Sequence, residues 1–361
     1  MKIRDIEAFQ IGWAADDKPA QRSAWVIVHA DDGMSGIGEA SPMQGGLASL
    51  GIIARDLAPA LVGQDPLDHA VLQDRLLHRF VKLGPEGALT GALAAIDIAL
   101  WDLKGKLLGG AWRTSLPFYA SIGGNGERSE GEVLRVVEAR LRDNPAAVKI
   151  RFDNDRTRLD GDIQGDIAKA KAVRRLVGDG FPLAFDANNG YSLGGAIRVG
   201  RALEELCFWW FEEPVQHHHP KAMGEVARRL DITVSAGEQT YTLSGLADLI
   251  DAGVRMLQPD VVKMGGITGL SRCIALAQAH GVELVPHQTQ PTIGHMASLH
   301  LAASQLHTTK PCEWNDPSPR QHAVFDNPPK PEGGRFHLSA EPGLGLKLNE
   351  AELARRRIPL G

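Results

Sequence analysis

Three acids, Asp186, Glu212 and Glu238, each close an apolar, strand-like run: PLAFD, FWWFE and TVSAGE. Carboxylates brought together repel one another and stay ionised only with a cation among them. Oxygen ligands alone, without cysteine or histidine, select a hard ion, Mg²⁺ first and Mn²⁺ second, that keeps positions open for a substrate. The bland alternative is three structural acids in unrelated salt bridges. Asp260 in MLQPDVVK and His287 in VELVPHQ come next in the chain. A carboxylate behind an imidazole fixes its tautomer and raises its basicity, as a general base requires. A lone histidine in an apolar strand is usually a satisfied core residue, and only its place in the series singles out His287. Lys149 and Arg151 alternate with Val148 and Ile150, so both are expected to point inward, where buried cations need anionic partners. Glu313 stands beside Trp314. That apolar neighbour is expected to raise its pKa and keep it protonated as a hydrogen-bond donor. His217, His218 and His219 follow Pro214 and read as a solvated loop or pocket rim before a metal site.

The steps from Asp186 through Glu212, Glu238, Asp260 and His287 to Glu313 are 26, 26, 22, 27 and 26 residues. A repeat of that size is one strand, one loop and one helix, which must stack on its copies to bury its apolar face. Alternating strands and helices predict a parallel sheet, and seven or eight such units predict a closed (β/α) barrel. Barrel enzymes carry their chemistry at the C-terminal strand ends, where all six residues fall. The first barrel strand and its turn are expected at SIGGNG, 121–126, and the second at VKIRF. Residues 1–40 predict a strand meander with a hairpin at Asp31-Asp32-Gly33. Residues 48–82 read as helix broken near Gly63–Pro66, and 86–109 as the clearest helix, with Gly109 a plausible C-cap. Asp97 and Asp102 on that apolar helix are expected to cap or pair at a domain junction. From about residue 320 the repeat stops, and the tail is expected to return to the N-terminal region.

The chain has 361 residues, 43% of them hydrophobic, and a net charge of −5. That suits one or two globular domains and supplies no basic field for nucleic acid or anionic lipid. No segment reads as a signal peptide or membrane span, which points to a cytoplasmic protein. Cys207, Cys273 and Cys312 lie far apart and are expected as buried, reduced thiols.

Taken in order, Lys-x-Arg, Asp-x-Asn, Glu-Glu-Pro, Gly-Glu, Asp-x-x-Lys-x-Gly-Gly, His and Glu along successive strands resemble the enolase superfamily. The Asp–His pair followed by a late Glu is similar to its mandelate racemase subgroup. The resemblance spans essentially the whole chain, including the IDIALWDLKGK helix. It implies a (β/α)7β TIM-like barrel over 119–320, an α+β capping domain over 1–118, and a C-terminal return over 321–361. It further implies Mg²⁺ on Asp186, Glu212 and Glu238, and abstraction of the proton α to a carboxylate through an enediolate. His287, backed by Asp260, would be the base on one face and Lys149 would lie on the other. Glu313 would bond the carboxylate oxygen that gains charge. Arg151, Asn188 and Lys263 would bind substrate near the metal, with Gln288, Trp314 and His217–His219 on the rim. Specificity would come from loops near 13–22 and 42–50, whose Asp16, Asp17, Lys18 and Arg22 lean toward a hydroxylated substrate.

Arg151 departs from the usual Lys-x-Lys, and arginine does not deprotonate at neutral pH. One firm base favours dehydration of an acid sugar (an aldonate or aldarate) to a 2-keto-3-deoxy acid. A racemase or epimerase of a 2-hydroxy acid with Lys149 as second base comes next. A muconate-type cycloisomerase and a non-catalytic sugar-acid binder are weaker. The expected partner is a small polyhydroxylated carboxylate, and family analogy implies a homo-oligomer.

Overall fold

The structure is a computed structural model that describes residues 1–15, 18–42, 46–108, 114–152, 157–290, 292–305, 310–315 and 319–358. Asp16, Asp17, the Lys18 side chain and Gly109 lie outside the described residues, as do positions 43–45 of the second loop.

The N-terminal meander is present. Strands β1 (Ile3–Ala15), β2 (Lys18–Ala30) and β3 (Ser35–Ala40) pair antiparallel. Short helices α1 (Leu47–Ile52) and α2 (Ala58–Leu61) follow, joined by a π-helical turn, and then α3 (His69–Phe80). The break falls at Val62–Asp65, as Gly63 and Pro66 predict. Helix α4 (Ala88–Leu108) lies across the sheet. Its close approach needs glycine, because a Cβ on Gly36 or Gly38 would overlap the carbonyl oxygens of Ala99 and Ala95.

The barrel is a (β/α)7β unit. Its strands are β4 (Ser115–Ile122), β5 (Ala147–Arg151), β6 (Leu183–Asp186), β7 (Trp210–Glu212), β8 (Thr233–Ala236), β9 (Met256–Leu257), β10 (Glu283–Leu284) and β11 (Cys312–Trp314). Between them run α5 (Glu130–Leu141), α6 (Ile163–Val177), α7 (Leu193–Glu205), α8 (Pro220–Arg229), α9 (Leu243–Ala252), α10 (Gly266–Ala279) and α11 (Ile293–Ser304). Strands β4 to β10 are parallel in chain order, and β11 returns to pair with β4. Alternation sorts the side chains. Leu183 and Phe185 face the helices, while Ala184 and Asp186 face inward. Tyr119, Ala147, Ala184, Trp210, Met256 and Val285 fill the interior below the polar ends, with small residues set against large.

Two expectations change. The first barrel strand is Ser115–Ile122, so the turn-like SIGGNG closes it and the boundary drawn at 118 falls inside β4. Of the three cysteines expected to be buried, Cys273 is, Cys312 is half-buried and Cys207 is exposed. It sits in the left-handed turn that ends α7, with φ +53°, before β7 begins at Trp210.

The C-terminal return runs through α12 (Pro319–His322), β12 (Pro331–Glu332), β13 (Arg335–His337), α13 (Glu350–Arg356) and β14 (Arg357–Ile358). Strand β13 pairs with β4, and β14 pairs with β1, so the tail clasps both units. Asp102 supports this clasp. One oxygen accepts the Leu344 N–H at 2.8 Å, and the other accepts Ile37 N–H at 3.0 Å and Lys106 Nζ at 2.8 Å.

Candidate active site

The parallel register sets the mouth of the barrel. Arg151 aligns with Asp186 and Asp186 with Glu212, so three strand ends present charge side by side. At β8 the chain turns through Gly237, φ +129°, before Glu238 joins them. One oxygen from each of Asp186, Glu212 and Glu238 lies within 4.8 Å of the others, and all three residues are buried. Asp186 Oδ2 is buried and accepts no hydrogen bond. Burial first, then the Glu212 charge, pushes the Asp186 carboxyl well above the usual range. Such a cluster of oxygen donors fits a hard divalent cation.

Two cations already face the triad. Lys149 Nζ donates to both Glu212 oxygens at 2.8 and 2.9 Å, and lies 2.9 Å from Glu313 and 3.8 Å from Asp186. Burial opposes its charge, but Glu212 and Glu313 outweigh burial and raise its pKa well above the ordinary value. His287 lies between two acids, with Nδ1 at 2.8 Å from Asp260 Oδ2 and Nε2 at 2.8 Å from Glu238 Oε2. Burial disfavours the imidazolium, yet Glu238 and Asp260 hold its pKa well above the usual value. The same contact works on Glu238, where burial raises the pKa but the His287 charge draws it well below. Residues 260 and 287 meet as a parallel bridge, which seats the dyad on adjacent strand ends.

Glu313 departs from expectation. Burial favours its neutral form, but Lys149 and then His287 lower its pKa, so it is a paired carboxylate rather than a neutral donor. It accepts the Gln288 N–H at 2.8 Å. Trp314 also departs. It follows an inward residue, so it points outward into the core, stacked at 5.3 Å on His295 and edge-on to Phe336. Arg151 is half-buried, and its charge reaches Asp186. Asn188 has φ +46°, donates its N–H to Asp186 Oδ1 at 2.7 Å, and lies 3.5 Å from Glu238. Lys263 is buried and acts electrostatically on Glu238 and Glu213. The Gln288 side chain is buried and donates to the Gln290 carbonyl. His217–His219 are exposed beyond β7, and His217 N–H binds Asn189. The loop expected near 13–22 is shorter than that, since β1 runs to Ala15 and β2 starts at Lys18, and Arg22 sits within β2, where it lies 3.5 Å from Gln10.

The sequence places Glu213 at the end of the CFWWFEEP run but gives no role to it, nor to Asn189 or Gln290. Glu213 is fully buried at φ +37°, and burial followed by the Glu238 charge pushes its pKa up. Asn189 donates to it. The Glu-Glu-Pro run was the available signal, since two adjacent acids cannot both follow the inward alternation of a regular strand.

Residues 132–352 match the family model "Enolase C-terminal domain-like", and residues 9–112 match "Mandelate racemase / muconate lactonizing enzyme, N-terminal domain". The chain belongs to the mandelate racemase/muconate lactonizing enzyme family of the enolase superfamily. Among solved structures, a family member from Paracoccus denitrificans PD1222 complexed with magnesium is 62% identical. It has a TM-score of 0.95, with 99% of each chain covered. Among characterised relatives, the L-talarate/galactarate dehydratase of Salmonella typhimurium is 29% identical, over 92% of this chain and 82% of its own. The D-galactarolactone cycloisomerase of Agrobacterium fabrum is 31% identical, over 92% of this chain and 91% of its own. No helix among the described residues is long and apolar enough to cross a membrane.

Proposed function

We propose that this enzyme dehydrates an acid sugar, an aldonate or aldarate, to a 2-keto-3-deoxy acid. The reading rests on one arrangement, the His287–Asp260 hydrogen bond of 2.8 Å beside the buried acidic triad. Asp186, Glu212 and Glu238 would hold Mg²⁺, which supplies positive charge against the substrate carboxylate. With Glu238 given over to the metal, the imidazole would lose the partner that holds its Nε2 proton, and Asp260 would fix the neutral ring so that His287 Nε2 takes the proton from the α-carbon. The electron pair left there forms the double bond to the β-carbon and breaks the bond to its hydroxyl. A proton from the imidazolium, or from the Lys149 ammonium, joins the departing oxygen, which leaves as water. The resulting enol tautomerises to the 2-keto acid.

Lys149 tips the balance against racemisation. Its ammonium bridges Glu212 and Glu313, so it is placed to neutralise charge and donate protons. A racemase needs a free base on that face. The relatives support the choice, since they include dehydratases of galactarate, arabinonate, D-xylonate and L-rhamnonate. A cycloisomerase is the second reading, favoured by the galactarolactone and 3,6-anhydro-galactonate relatives. The decisive test incubates the Mg²⁺-loaded protein with a library of acid sugars and their lactones in D₂O. Keto acid from an open-chain acid supports dehydration. Isomerised lactone without water loss supports cycloisomerisation, and deuterium at the α-carbon without keto acid supports epimerisation.

A further inference from the structure

The first N–H groups of a helix have no partner within it, and each barrel helix must satisfy them somehow. Helices α5, α6, α7 and α9 use their own N-cap side chains, Ser129, Asp162, Ser192 and Thr242. Helix α8 opens on Pro220 without a side-chain cap, and α10 and α11 also lack one of their own. Gly265 before α10 has no side chain, and Thr292 before α11 makes no capping bond. Their acceptors come from the other domain. Asp97 on α4 accepts the Thr268 N–H at 2.9 Å, and Glu39 on β3 accepts the Gly294 N–H at 2.9 Å. Both acids are almost completely buried. Gly266, at φ +84°, leaves the room that Asp97 fills, because a Cβ there would overlap its carboxylate.

These two helices follow the strands that carry the dyad. Asp260 O accepts the N–H of Lys263 at 3.0 Å and of Met264 at 2.9 Å, and Val261 O accepts Gly266 N–H at 2.8 Å. The start of α10 is therefore continuous with the turn that carries Asp260. On the α11 side, Gln290 packs on Gly294, where a Cβ would come within 2.8 Å of its Cγ. Its amide lies 3.2 Å from Asp260 Oδ2, the oxygen that also binds His287. Glu39 is itself held by the Ser23 hydroxyl on β2.

We propose that Glu39 and Asp97 are positioning residues of the capping domain, which cap α11 and α10 across the junction and thereby fix the His287–Asp260 pair. The proposal rests on the reading of that pair as the base, and it gives the capping domain a part in catalysis as well as in substrate choice.

The test compares Glu39→Ala and Asp97→Ala with Glu39→Gln and Asp97→Asn in the full-length Mg²⁺-loaded protein. Hydrogen–deuterium exchange reads segments 258–268 and 284–296, with 183–190 as the internal reference. The alanine variants are expected to exchange about tenfold faster in the two named segments while the reference and Mg²⁺ affinity hold. On whichever acid sugar the library yields, kcat is expected to fall by about 10²-fold with KM little changed. The amide variants keep an acceptor oxygen and should recover most of that loss. Ser23→Ala, which only loosens Glu39, should reproduce the 284–296 effect at smaller amplitude even where Glu39→Ala does not fold. Unchanged exchange in the named segments, or a uniform rise across the chain, overturns the proposal. A wild-type protein silent on every acid sugar would refute the dehydratase reading instead, and the exchange comparison would still decide the positioning claim.

Discussion

At the scale of single residues, the site is a balance of buried charge. Asp186, Glu212, Glu238, Asp260 and Glu313 face Lys149 and His287 at the barrel mouth. His287→Asn removes the base while leaving an amide of similar size. Turnover of the identified acid sugar should fall by about 10³-fold or more, within or beyond the range for general base catalysis. Mg²⁺ binding should persist or tighten, because the imidazole that pairs with Glu238 is gone. Calorimetric titration beside steady-state kinetics checks both, and lost metal binding would mean that His287 holds the triad together. The triad makes its own prediction. Mg²⁺ should raise the melting temperature, and at a hundred times Kd the added stability is about 2.7 kcal/mol. Asp186→Asn should abolish that rise in a calorimetric scan. The inward residues were legible because each ends an apolar run at a regular spacing. The ionisation of Glu313 was not, because it depends on Lys149, which lies far off in the chain and reaches Glu313 only after the sheet has closed. Trp314 was misplaced for a related reason. Its neighbour Glu313 takes the inward position, and alternation sends the indole out.

At the scale of elements, the periodicity of the chain gave the order of strands and helices, while the strand limits depended on tertiary contacts. The run CFWWFEEP suggests a long strand, yet β7 is only Trp210–Glu212, because Cys207 turns left-handed and Glu213 twists to φ +37°. Trans-domain caps are equally invisible in sequence. Gly265 and Thr292 look like ordinary helix starts, and nothing local says that Asp97 and Glu39 supply the acceptors. Close packing of β3 on α4 is the element-scale feature with the sharpest consequence. Gly38→Ala drives a methyl into the Ala95 carbonyl oxygen, which is backbone and cannot rotate away. Overpacking usually costs about 1–3 kcal/mol, and this case belongs at the upper end. Urea denaturation should show the lower midpoint, and a midpoint equal to wild type would mean that α4 is free to shift off the sheet.

At the scale of the whole molecule, the two carboxylates that join the domains also couple their junction to pH. Burial, the largest influence, raises Glu39 from 4.5 and Asp97 from 3.8, each to about 7. The Gly294 N–H and Ser23 hydroxyl pull Glu39 back, while the Asp260 charge pushes it further up. The Thr268 side chain and N–H, the Ile267 N–H and the Arg272 charge pull Asp97 back. A raised carboxyl holds its proton in the folded state at pH values where the unfolded chain has already lost it. Stability from such a group is therefore full at and below the unfolded pKa, declines as pH rises toward 7, and levels off above. For Glu39 the decline amounts to about 3 kcal/mol between pH 4.5 and 7. Other acids of the barrel mouth titrate too, so wild type alone does not isolate it. Glu39→Gln cannot ionise. The stability of wild type minus that of Glu39→Gln, from urea melts at pH 5 and pH 8, should be more positive at pH 5 by most of that amount. Asp97→Asn should behave alike, and the two effects should add because the carboxylates cap different helices. A difference that does not vary with pH would mean that water reaches Glu39 and restores its ordinary ionisation, and the capping sheet would then rest on the barrel less tightly than the Gly294 hydrogen bond implies.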